Sequence, residues 1–413
     1  MATNSSLRSN YRRVLEQLQQ GKLKLYELEK FLSKSDAVKA RASFAEKISG
    51  AQLHSLQSYT INPESIKGSI ENMIGAVQVP VGIAGPLTIE GKFFKGKAVL
   101  PLATTEGALV ASVNRGCTAL NRSGGVKSRL VRTGQTRASL FEADDIDAAL
   151  RLVNFAESNF SELKKTAEKG SRFLKLKAIK PYVAGRLVWL RMTADTSDAM
   201  GMNMISIASQ QVGTHLEKKL RGVKYLSVSG NLCTDKKPSL LTLLEGRGRF
   251  VIAEATLPER VVKEVLKITP REMEKLNLYK NIIGSALAGS YGYNSHFANI
   301  VAALYLATGQ DMAHVVEGSH GTTMMEMRGK NLNVSVTMPA LQVGTVGGGT
   351  QLPAAQECIR LIGIKPSKKP GEAANQLAEV VAAAVLAGEI SLLAAHASKQ
   401  LVDAHRRLNR SPA

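Results

Sequence analysis

The spacing of apolar residues predicts a small helical region at the start of the chain. Between Leu7 and Gly68 polar and basic residues dominate, and apolar residues recur at helical intervals over residues 11–18 and 25–31. The alternation of apolar and polar residues that marks a half-buried strand is scarce there. We therefore predict a helical N-terminal region.

Strand and helix periods alternate in the middle of the chain. A Gly- and Pro-rich segment over residues 77–87 and a run of small residues over 102–115 come first. The pattern then predicts strand, helix, strand, strand, helix and strand, over residues 138–142, 144–168, 173–179, 187–193, 201–220 and 225–228. This order is typical of a split βαβ, ferredoxin-like unit.

The chain from residue 230 onward is rich in Ala and Gly and mostly helical in pattern, with strands predicted near residues 251–256 and 332–338. Within it, G-Q-D-M-A-H-V-V-E-G places Asp311 in a run whose neighbours Leu304, Val315 and Val316 have the pattern of a buried helix. A buried carboxylate is costly unless it is paired. We therefore predict that Asp311 is buried on an apolar helix and serves through its charge.

Composition narrows the classes of protein. The chain has 413 residues, 44% of them hydrophobic, which is enough for a sizeable core. Its three cysteines are widely spaced and odd in number, so they offer no disulfide framework. The start has no secretory pattern, and the longest apolar stretch, residues 380–388, is far short of the about 20 residues that span a bilayer. We expect a soluble, cytoplasmic protein without a membrane span.

The formal net charge is +20, from 54 Lys and Arg against 34 Asp and Glu, and such a field attracts polyanions. Nucleic acid, acidic lipid and phosphorylated cofactors are all candidate partners on that ground. Aromatic residues make up only 5% of the chain, and neither an RNA-binding aromatic signature nor zinc-finger spacing occurs. We expect no nucleic-acid partner and keep a basic nucleic-acid-binding protein only as an alternative.

Two glycine-containing segments are candidates for binding a cofactor. D-A-M-G-M-N-M, from Asp198, lies between a predicted strand and a predicted helix, where free N–H groups favour an anion. A helix capped by Asp198, with the methionines in the core, explains it as well. G-T-V-G-G-G-T, from Gly344, permits close backbone approach to a ligand, but a plain loop also accounts for it. Because no G-x-G-x-x-G follows a strand and no P-loop occurs, we expect no Rossmann domain.

A lysine-rich loop and a histidine pattern offer further chemistry. The loop S-G-N-L-C-T-D-K-K-P either presents Lys236 and Lys237 to an acid or is a solvated charged turn. His314, Glu317 and His320 form H-x-x-E-x-x-H, which lacks the spacing that places two metal ligands one helical turn apart. We expect no metal site.

Taken in order, these motifs resemble 3-hydroxy-3-methylglutaryl-coenzyme A (HMG-CoA) reductase. The resemblance runs from about Glu71 to Ser411. It rests on E-N-M-I-G with V-P-V-G-I-A-G-P-L, T-T-E-G-A-L-V-A-S-V-N-R-G-C, D-A-M-G-M-N-M, S-G-N-L-C-T-D-K-K-P, N-I-I-G-S-A-L-A-G-S, G-Q-D-M-A-H, G-T-V-G-G-G-T and L-V-D-A-H. The D-A-M-G-M-N-M and D-K-K segments look like the first, biosynthetic class, whose members use NADPH. His314 departs from the pattern, because the family usually has Gln there.

The resemblance implies NADPH-dependent reduction of HMG-CoA to mevalonate and coenzyme A, in mevalonate and isoprenoid biosynthesis. It assigns catalytic roles to Glu106, Lys236, Asp311 and His405. It assigns substrate binding to Arg115, Arg137, Ser229, Asp235, Lys237, Lys280, His296 and Asn299. It assigns cofactor binding to Ser171, Arg172, Asp198, Met200, Gly201, Met202, Asn203, Val346, Gly347 and Gly348. The alternative is NAD-dependent oxidation of mevalonate, which Arg172 argues against because a guanidinium suits the extra phosphate of NADP.

The implied fold class is mixed, α+β and α/β. A small helical domain is expected over residues 1–74, and a large α/β domain peculiar to the family over residues 75–138 and 228–413. An inserted ferredoxin-like, NADP(H)-binding domain is expected over residues 139–227. The resemblance further implies a homodimer or homotetramer whose active sites lie at the subunit interface.

The chemistry of thioester reduction is consistent with these residue types. Reduction to an alcohol takes two hydrides in succession, and each leaves an oxyanion in the transition state that a fixed cation stabilises. Lys236 has the required charge, with Asp311 as its partner and Glu106 close enough to share a proton. His405 has the pKa to protonate the coenzyme A thiolate as it leaves.

Overall fold

The computed structural model describes residues 4–66 and 68–398, so His405 lies outside the described residues. The chain divides into two compact units. One comprises the chain up to Pro80 with Gln351–Pro353, and the other comprises Val81–Thr350 with the chain from Ala354.

The first unit is helical, as its pattern predicts. It contains α1 (Asn4–Gln19), α2 (Lys34–Ser49) and α3 (His54–Gln57), with 3₁₀ turns at Leu25–Lys30 and Pro63–Ser65. The helix predicted over residues 25–31 is therefore only a 3₁₀ turn. Its backbone bonds span three residues, as from Phe31 N to Leu28 O. Leu28 packs with Val14 and Leu18 of α1 and Ala37 of α2 in a small core.

The second unit contains two sheets, and the long strand β3 belongs to both. The strands are β1 (Val81–Gly91), β2 (Lys95–Ala103), β3 (Val126–Ala143), β4 (Lys175–Ala184), β5 (Leu187–Asp195), β6 (Val223–Ser227), β7 (Gly248–Leu257), β8 (Thr322–Arg328) and β9 (Asn331–Leu341). One sheet has the order β2-β1-β3-β7-β9-β8, antiparallel except between β1 and β3. Halfway along β3 the partner changes, because residues 127–134 pair with β7 and residues 135–142 pair with β5.

Helices cover these strands, so the unit has a mixed α/β fold. They are α4 (Leu109–Arg122), α5 (Ile146–Ser158), α6 (Phe160–Glu168), α7 (Met202–Lys219), α8 (Leu240–Glu245), α9 (Glu259–Val261), α10 (Pro270–Leu276), α11 (Ser285–Leu287), α12 (Phe297–Ala307), α13 (Val315–Gly318), α14 (Pro353–Ile362) and α15 (Glu372–Ala397). Short 3₁₀ turns lie at Met312–His314 and Gly348–Gln351, and π-helical turns at Val262–Leu266 and Asn277–Gly284.

The second half of β3 belongs to a four-stranded antiparallel sheet with the order β6-β3-β5-β4. α5 and α6 connect β3 to β4, and α7 connects β5 to β6, as the alternating pattern predicts. The single helix predicted over residues 144–168 is instead two helices. They meet at Asn159, which has non-helical ψ and caps α5 through its backbone N–H to Phe155 O.

The β1–β2 pair was absent from the sequence prediction, as was β8. Gly82, Gly85 and Pro86 lie inside β1, and such residues are depleted in strands. The register shifts between Ala84 and Leu87, so Gly85 and Pro86 fall within a bulge. The bulge explains why a Gly- and Pro-rich segment still pairs on both sides.

α15 runs through the core of the second unit. With 26 residues, the helix is long and apolar enough to cross a membrane by length and composition alone. However, 94% of its most apolar 18-residue window is buried within the protein. Such burial is typical of a core helix. α4 crosses it closely at Gly116, where a Cβ atom would lie 1.9 Å from Ala387 O. Only glycine fits that crossing.

Glu379 of α15 is fully buried and holds the turn between β1 and β2. Its carboxylate accepts hydrogen bonds from the backbone N–H groups of residues 92–94 at 2.8–3.0 Å and of Leu130 at 3.3 Å. A Cβ atom on Gly91 would lie 2.1 Å from Glu379 Oε2, so glycine is required there. The carboxylate therefore fixes the hairpin and β3 to the helix.

We expect Glu379→Gln to lower the free energy of unfolding by about 2–4 kcal/mol, because an amide N–H₂ would replace an acceptor oxygen and face backbone donors. Chemical denaturation followed by circular dichroism measures the change. Glu357→Gln, on the exposed side of α14, is the matched control and should leave the midpoint unchanged. Equal midpoints for both variants would contradict the role of Glu379.

Candidate active site

The loop after β6 carries the lysine-rich motif in a constrained backbone. Asn231, Thr234 and Lys236 have φ of 64°, 58° and 56°, in the left-handed region that non-glycine residues rarely adopt. Contacts from neighbouring strands hold the loop, including Trp189 Nε1 to Gly230 O at 2.9 Å and Thr136 Oγ1 to Cys233 O at 2.9 Å. Strain of this kind persists where the surroundings enforce it, as at functional sites.

Lys236 and Asp311 form an ion pair with Nζ 2.7 Å from Oδ2. Both side chains are about two-fifths exposed, at 40% and 41%. Partial burial raises the pKa of Asp311, but hydrogen bonds from Lys236 and from Ala313 N outweigh it and hold the pKa below its usual value. The pair is thus charged at neutral pH and open to solvent in one chain.

The prediction that Asp311 is buried on an apolar helix is wrong. α12 ends at Ala307, and Gly309 follows with φ of 66°. Asp311 begins a new 3₁₀ turn as its N-cap, where its side chain accepts a hydrogen bond from Ala313 N at 3.1 Å. The neighbouring apolar residues belong to two separate helices, so the helical run ends before it reaches the carboxylate.

Arg247 lies beneath this loop and is almost fully buried, at 2% exposure. Its guanidinium pairs with Asp235 Oδ1 at 2.9 Å and with Glu317 Oε1. It also donates to Thr136 Oγ1 at 3.2 Å and contacts Met202 Sδ at 2.7 Å. One buried cation therefore touches the lysine-rich loop and the first residue of α7.

Three possible metal ligands meet at the same place. Asp235, His314 and Glu317 each offer an atom, and these atoms lie within 4.8 Å of one another. The guanidinium of Arg247 contacts all three side chains, with His314 Nδ1 at 3.5 Å from Nη1. Arg247 thus supplies the positive charge that a metal ion would bring. His314 is fully buried. Its Nδ1 lies 2.9 Å from Glu317 Oε1, and its Nε2 lies 3.5 Å from Asp311 Oδ2 without a hydrogen bond between them.

Other residues with predicted substrate roles surround Asp235. Arg137 Nη1 lies 3.1 Å from Asp235 Oδ2, and Lys237 Nζ donates to Asp235 O at 3.2 Å. Ser229 Oγ lies 3.2 Å from Cys233 Sγ. Burial raises the pKa of that thiol, but hydrogen bonds from Ser229 and the loop backbone, with Arg137 nearby, leave it below its usual value. Arg137 and Arg247 thus contact the Asp235 carboxylate, whereas Lys237 contacts the Asp235 backbone carbonyl and Ser229 contacts Cys233.

The two segments predicted to bind a cofactor lie side by side. Ala199 and Val346 form a parallel bridge, and Thr345 N donates to Asp198 O at 2.8 Å. The carboxylate of Asp198 does not cap α7. It accepts from Gly371 N and Ala374 N at the start of α15, at 2.9 and 3.0 Å.

The N-cap of α7 is Gly201, with φ of 91° and no side-chain cap. The first N–H groups of that helix therefore have no side-chain acceptor at the cap, and the start of a helix favours an anion.

Ser171 and Arg172 lie in the loop between α6 and β4. Ser171 Oγ accepts from Phe173 N at 3.2 Å, and the Arg172 guanidinium lies 4.6 Å from the centre of the Phe173 ring. A Cβ on the preceding Gly170 would lie 3.1 Å from Gln211 of α7. The loop thus lies beside the helix that begins at Met202, and Arg172 is exposed.

A second cluster gathers near the start of α12. Glu106, between β2 and α4, accepts from Asn299 Nδ2 at 2.9 and 2.7 Å through its two oxygens. Lys280 Nζ donates to Ser295 Oγ at 2.9 Å, and its burial lowers its pKa. His296 N donates to the buried Glu389 of α15 at 2.8 Å.

Arg115 joins this second cluster from α4. Its Nε donates to Ser391 Oγ at 3.0 Å and its Nη2 to Ser391 O at 2.6 Å, and burial lowers its pKa. Ser391 lies only two residues from Glu389 on α15, which brings Arg115 to the same end of that helix.

The predicted site residues therefore form two clusters. The cluster around Lys236 and Asp311 holds the lysine-rich loop and the cofactor segments, and the other holds Glu106, Arg115, Lys280, His296 and Asn299. Within the described residues of one chain, Glu106 bonds Asn299 and not Lys236 or Asp311.

Comparison with known proteins identifies the family. The family model described as "Hydroxymethylglutaryl-coenzyme A reductase" matches residues 37–410. The chain belongs to the hydroxymethylglutaryl-coenzyme A reductase family. It is therefore an oxidoreductase, and the function predicted from the sequence, reduction of HMG-CoA in mevalonate biosynthesis, is confirmed.

Relatives match this HMG-CoA reductase over almost its whole length. The chain is 46% identical to "3-hydroxy-3-methylglutaryl-coenzyme A reductase" of Pyrococcus horikoshii, covering 97% of this chain and 98% of that one. It is 47% identical to the protein of the same name from Aeropyrum pernix, covering 96% and 95%. A solved class II reductase from Streptococcus pneumoniae, bound to NADPH, has the same fold with a TM-score of 0.63 at 17% identity, covering 94% of this chain and 86% of that one.

Sequence reasoning missed Arg247, which is central to the site of this reductase. The signal in the sequence was G-R-G-R over residues 246–249, two arginines between glycines at the start of an apolar strand. The sequence analysis considered Glu317 only as part of the H-x-x-E-x-x-H pattern, which it rejected as a metal site. Its partner is Arg247, which no local spacing reveals.

We expect Arg247→Met to lower the free energy of unfolding by about 3–5 kcal/mol, because the fully buried Glu317 would lose its cation, whereas Asp235 would keep Arg137. Burial would then favour the protonated form of the Glu317 carboxyl and raise its pKa in the variant above its unfolded value. Stability from a raised carboxyl pKa is present at low pH and lost as pH rises, so the deficit should shrink from neutral pH to about pH 5. Urea denaturation at both pH values measures this.

The exposed Arg260→Met is the matched control and should change little. If the loss of unfolding free energy in Arg247→Met stayed constant or grew as the pH was lowered, Arg247 would not be the counter-ion of a buried carboxylate.

Proposed function

We propose that this reductase converts HMG-CoA to mevalonate and coenzyme A with NADPH, at a site centred on Lys236 and the segments 198–203 and 346–348. The observation that carries the proposal is the guanidinium of Arg247. It contacts Asp235 of the lysine-rich loop and Met202 at the start of α7. A substrate held by the loop would therefore lie beside a cofactor held by the helix.

The residues around α7 fit NADPH. The start of the helix has free N–H groups. Gly347 and Gly348 have positive φ, and a Cβ atom added to either would have nothing within 4 Å, so a ligand can approach their backbone closely. Arg172 is exposed beside α7 and has the charge to hold the 2′-phosphate. Asp198, Met200, Gly201, Asn203, Val346 and Ser171 would complete the cofactor contacts. NADPH, when bound, supplies the hydride.

Lys236 is the group that would stabilise the developing oxyanion. Its ammonium lies 2.7 Å from Asp311, which orients it. A preorganised cation is worth most where charge appears only in the transition state. Arg137, Ser229 and Lys237 around Asp235 would hold the hydroxymethylglutaryl group, since they supply donors for a carboxylate.

The strand order β6-β3-β5-β4, with helices between β3 and β4 and between β5 and β6, supports an inserted ferredoxin-like domain over residues 139–227. In this proposal that domain carries the cofactor residues 171, 172 and 198–203, and the large domain supplies residues 346–348. The helical domain covers residues 1–74, and the large domain covers residues 75–138 and 228–413.

We also propose that each active site takes residues from two chains. Glu106 contacts Asn299 near the start of α12, and Asp311 follows the end of that helix. The nine helical residues from Asn299 to Ala307 span about 12 Å, so in this proposal one chain keeps Glu106 away from Lys236. A second copy can bring its Glu106, Lys280, His296 and Asn299 to the Lys236 of the first. The exposed apolar side chains of Leu278, Ile283 and Leu287, which flank Lys280, support such pairing.

His405 lies outside the described residues, and its proposed role is to protonate the leaving coenzyme A thiolate. Arg115, which is partly buried beside Ser391, would meet the coenzyme A phosphates in the second cluster. We further propose that the protein works as a homodimer or homotetramer in the cytoplasm.

The direct test is optical. NADPH absorbance should fall when HMG-CoA is added to purified protein, with two cofactor molecules oxidised for each mevalonate formed. Folded protein that consumed no NADPH would overturn the proposal. Turnover only with mevalonate, coenzyme A and NAD would indicate the alternative reaction, the oxidation of mevalonate.

Mixing two inactive variants tests the two-chain site. Glu106→Gln and Lys236→Ala should each be inactive alone. Heterodimers from random subunit exchange would contain one site with both wild-type residues, so an equal mixture should recover about a quarter of the wild-type rate. No recovery, with subunit exchange shown by differently tagged chains, would place Glu106 and Lys236 on the same chain.

Cofactor choice tests Arg172. Arg172→Ala should weaken NADPH use by about 1.5–3 kcal/mol in kcat/KM, as for a lost charged hydrogen bond, and leave NADH use little changed. Lys169→Ala, an exposed cation on the same loop, is the matched control for general electrostatics. Equal losses with both cofactors, or equal losses for both variants, would contradict a contact with the 2′-phosphate.

A further inference from the structure

Arg249 occupies the place beneath the two cofactor segments. It follows Arg247 by two residues at the start of β7 and is 5% exposed. Its Nη2 donates to Ser197 O at 2.7 Å, and its Nη1 donates to Val343 O. Its Nε donates to Asn375 Oδ1 at 3.0 Å, in the first turn of α15. One guanidinium therefore joins the residues that immediately precede the two cofactor segments to the core helix.

Within residues 4–66 and 68–398, the hydrogen-bond partners of this guanidinium are all neutral. Two are backbone carbonyls and one is a side-chain amide. Burial lowers the pKa of Arg249 to about 10, with Asp195 and Asp198 opposing the shift from nearby. The group is thus a buried cation at neutral pH. Burying a charge without a hydrogen-bonded counter-ion is costly. An apolar side chain in place of Arg249 would therefore be expected to give a more stable fold.

The geometry of the segments depends on this position. Ser197 has φ of 58°, in the left-handed region, and its carbonyl is the one that Arg249 holds. A Cβ on Gly344 would lie 2.5 Å from Met200 N, so the two segments approach each other closely there. Because a guanidinium is a rigid fork, it sets the spacing of the two carbonyls, one from each segment.

We propose that Arg249 is a positioning residue for NADPH: it holds the segments 197–203 and 343–348 at the spacing that the cofactor needs, and its buried charge favours the anionic cofactor. This inference rests on the proposed function of those segments. In this proposal Arg249 acts through the two segments and does not itself contact NADPH or HMG-CoA. Its loss should therefore change cofactor binding while leaving the lysine-rich loop, which Arg247 holds, in place.

The test compares cofactor and substrate binding in Arg249→Lys and Arg249→Met. Lysine keeps the charge but lacks the fork, and methionine removes both. We expect the Kd for NADPH, from its fluorescence on binding, to rise by about tenfold or more in Arg249→Met and less in Arg249→Lys. The KM for HMG-CoA at saturating NADPH should stay within about twofold of wild type in both variants.

Two further variants keep the test decisive. Asn375→Ala removes only the acceptor of Arg249 Nε, and should raise the Kd for NADPH in the same direction by a smaller factor. Arg41→Met, at a buried arginine of the first unit that donates to Leu25 O and pairs with Glu29, controls for loss of a buried guanidinium and should leave that Kd unchanged.

The outcomes separate this inference from the proposed function. A wild-type protein that bound no NADPH would overturn both. Wild-type binding with an unchanged Kd in Arg249→Lys and Asn375→Ala would overturn the inference alone. An equal rise in the Kd for NADPH and the KM for HMG-CoA would also overturn it, since that result indicates a general loss of structure.

Discussion

The burial of α15 constrains the rest of the second unit. A helix that is apolar on all sides must be enclosed, and its few polar groups then need partners inside the protein. Glu379 takes backbone N–H groups from the β1–β2 turn, and Glu389 takes the N–H groups of residues 295 and 296. The first N–H groups of the helix go to Asp198. The last two partners contain site residues, His296 and Asp198 itself, so the polar groups of one helix hold parts of both clusters in position.

Two arginines at the start of β7 perform the complementary task beneath the loops. Arg247 compensates two carboxylates, Asp235 and Glu317, and therefore works as a buried counter-ion. Arg249 has only neutral acceptors and works as a spacer between backbone carbonyls. Because Arg249 lies in β7 and Arg247 immediately precedes it, the lysine-rich loop and the cofactor segments share a rigid base. That arrangement suits a reaction in which two bound molecules must meet within contact distance.

The sequence predicted those parts of the structure that depend on local pattern. The strands and helices from β3 to β6 follow their apolar periods, and α7 begins near the glycine that the D-A-M-G-M-N-M motif contains. β1 was missed because its bulge holds Gly85 and Pro86. The prediction that Asp311 is buried was wrong because α12 ends at Ala307 and Gly309 follows in the left-handed region, before the chain reaches Asp311. Arg247 and Arg249 act on partners from distant parts of the chain, and such contacts leave no local period in a sequence.

The separation of the two clusters limits how this reductase can assemble its proposed active site. Internal closure would require α12 to bend or shorten. Its residues Phe297, Ile300, Val301 and Leu304 are fully buried, and a packed helix transmits displacement rather than absorbing it. α15 ties the same two regions a second time, through Asp198 at one end and Glu389 toward the other. Two rigid connections oppose closure within one chain, and for this reason we propose that association of two chains brings Glu106 to Lys236 without unfolding the core.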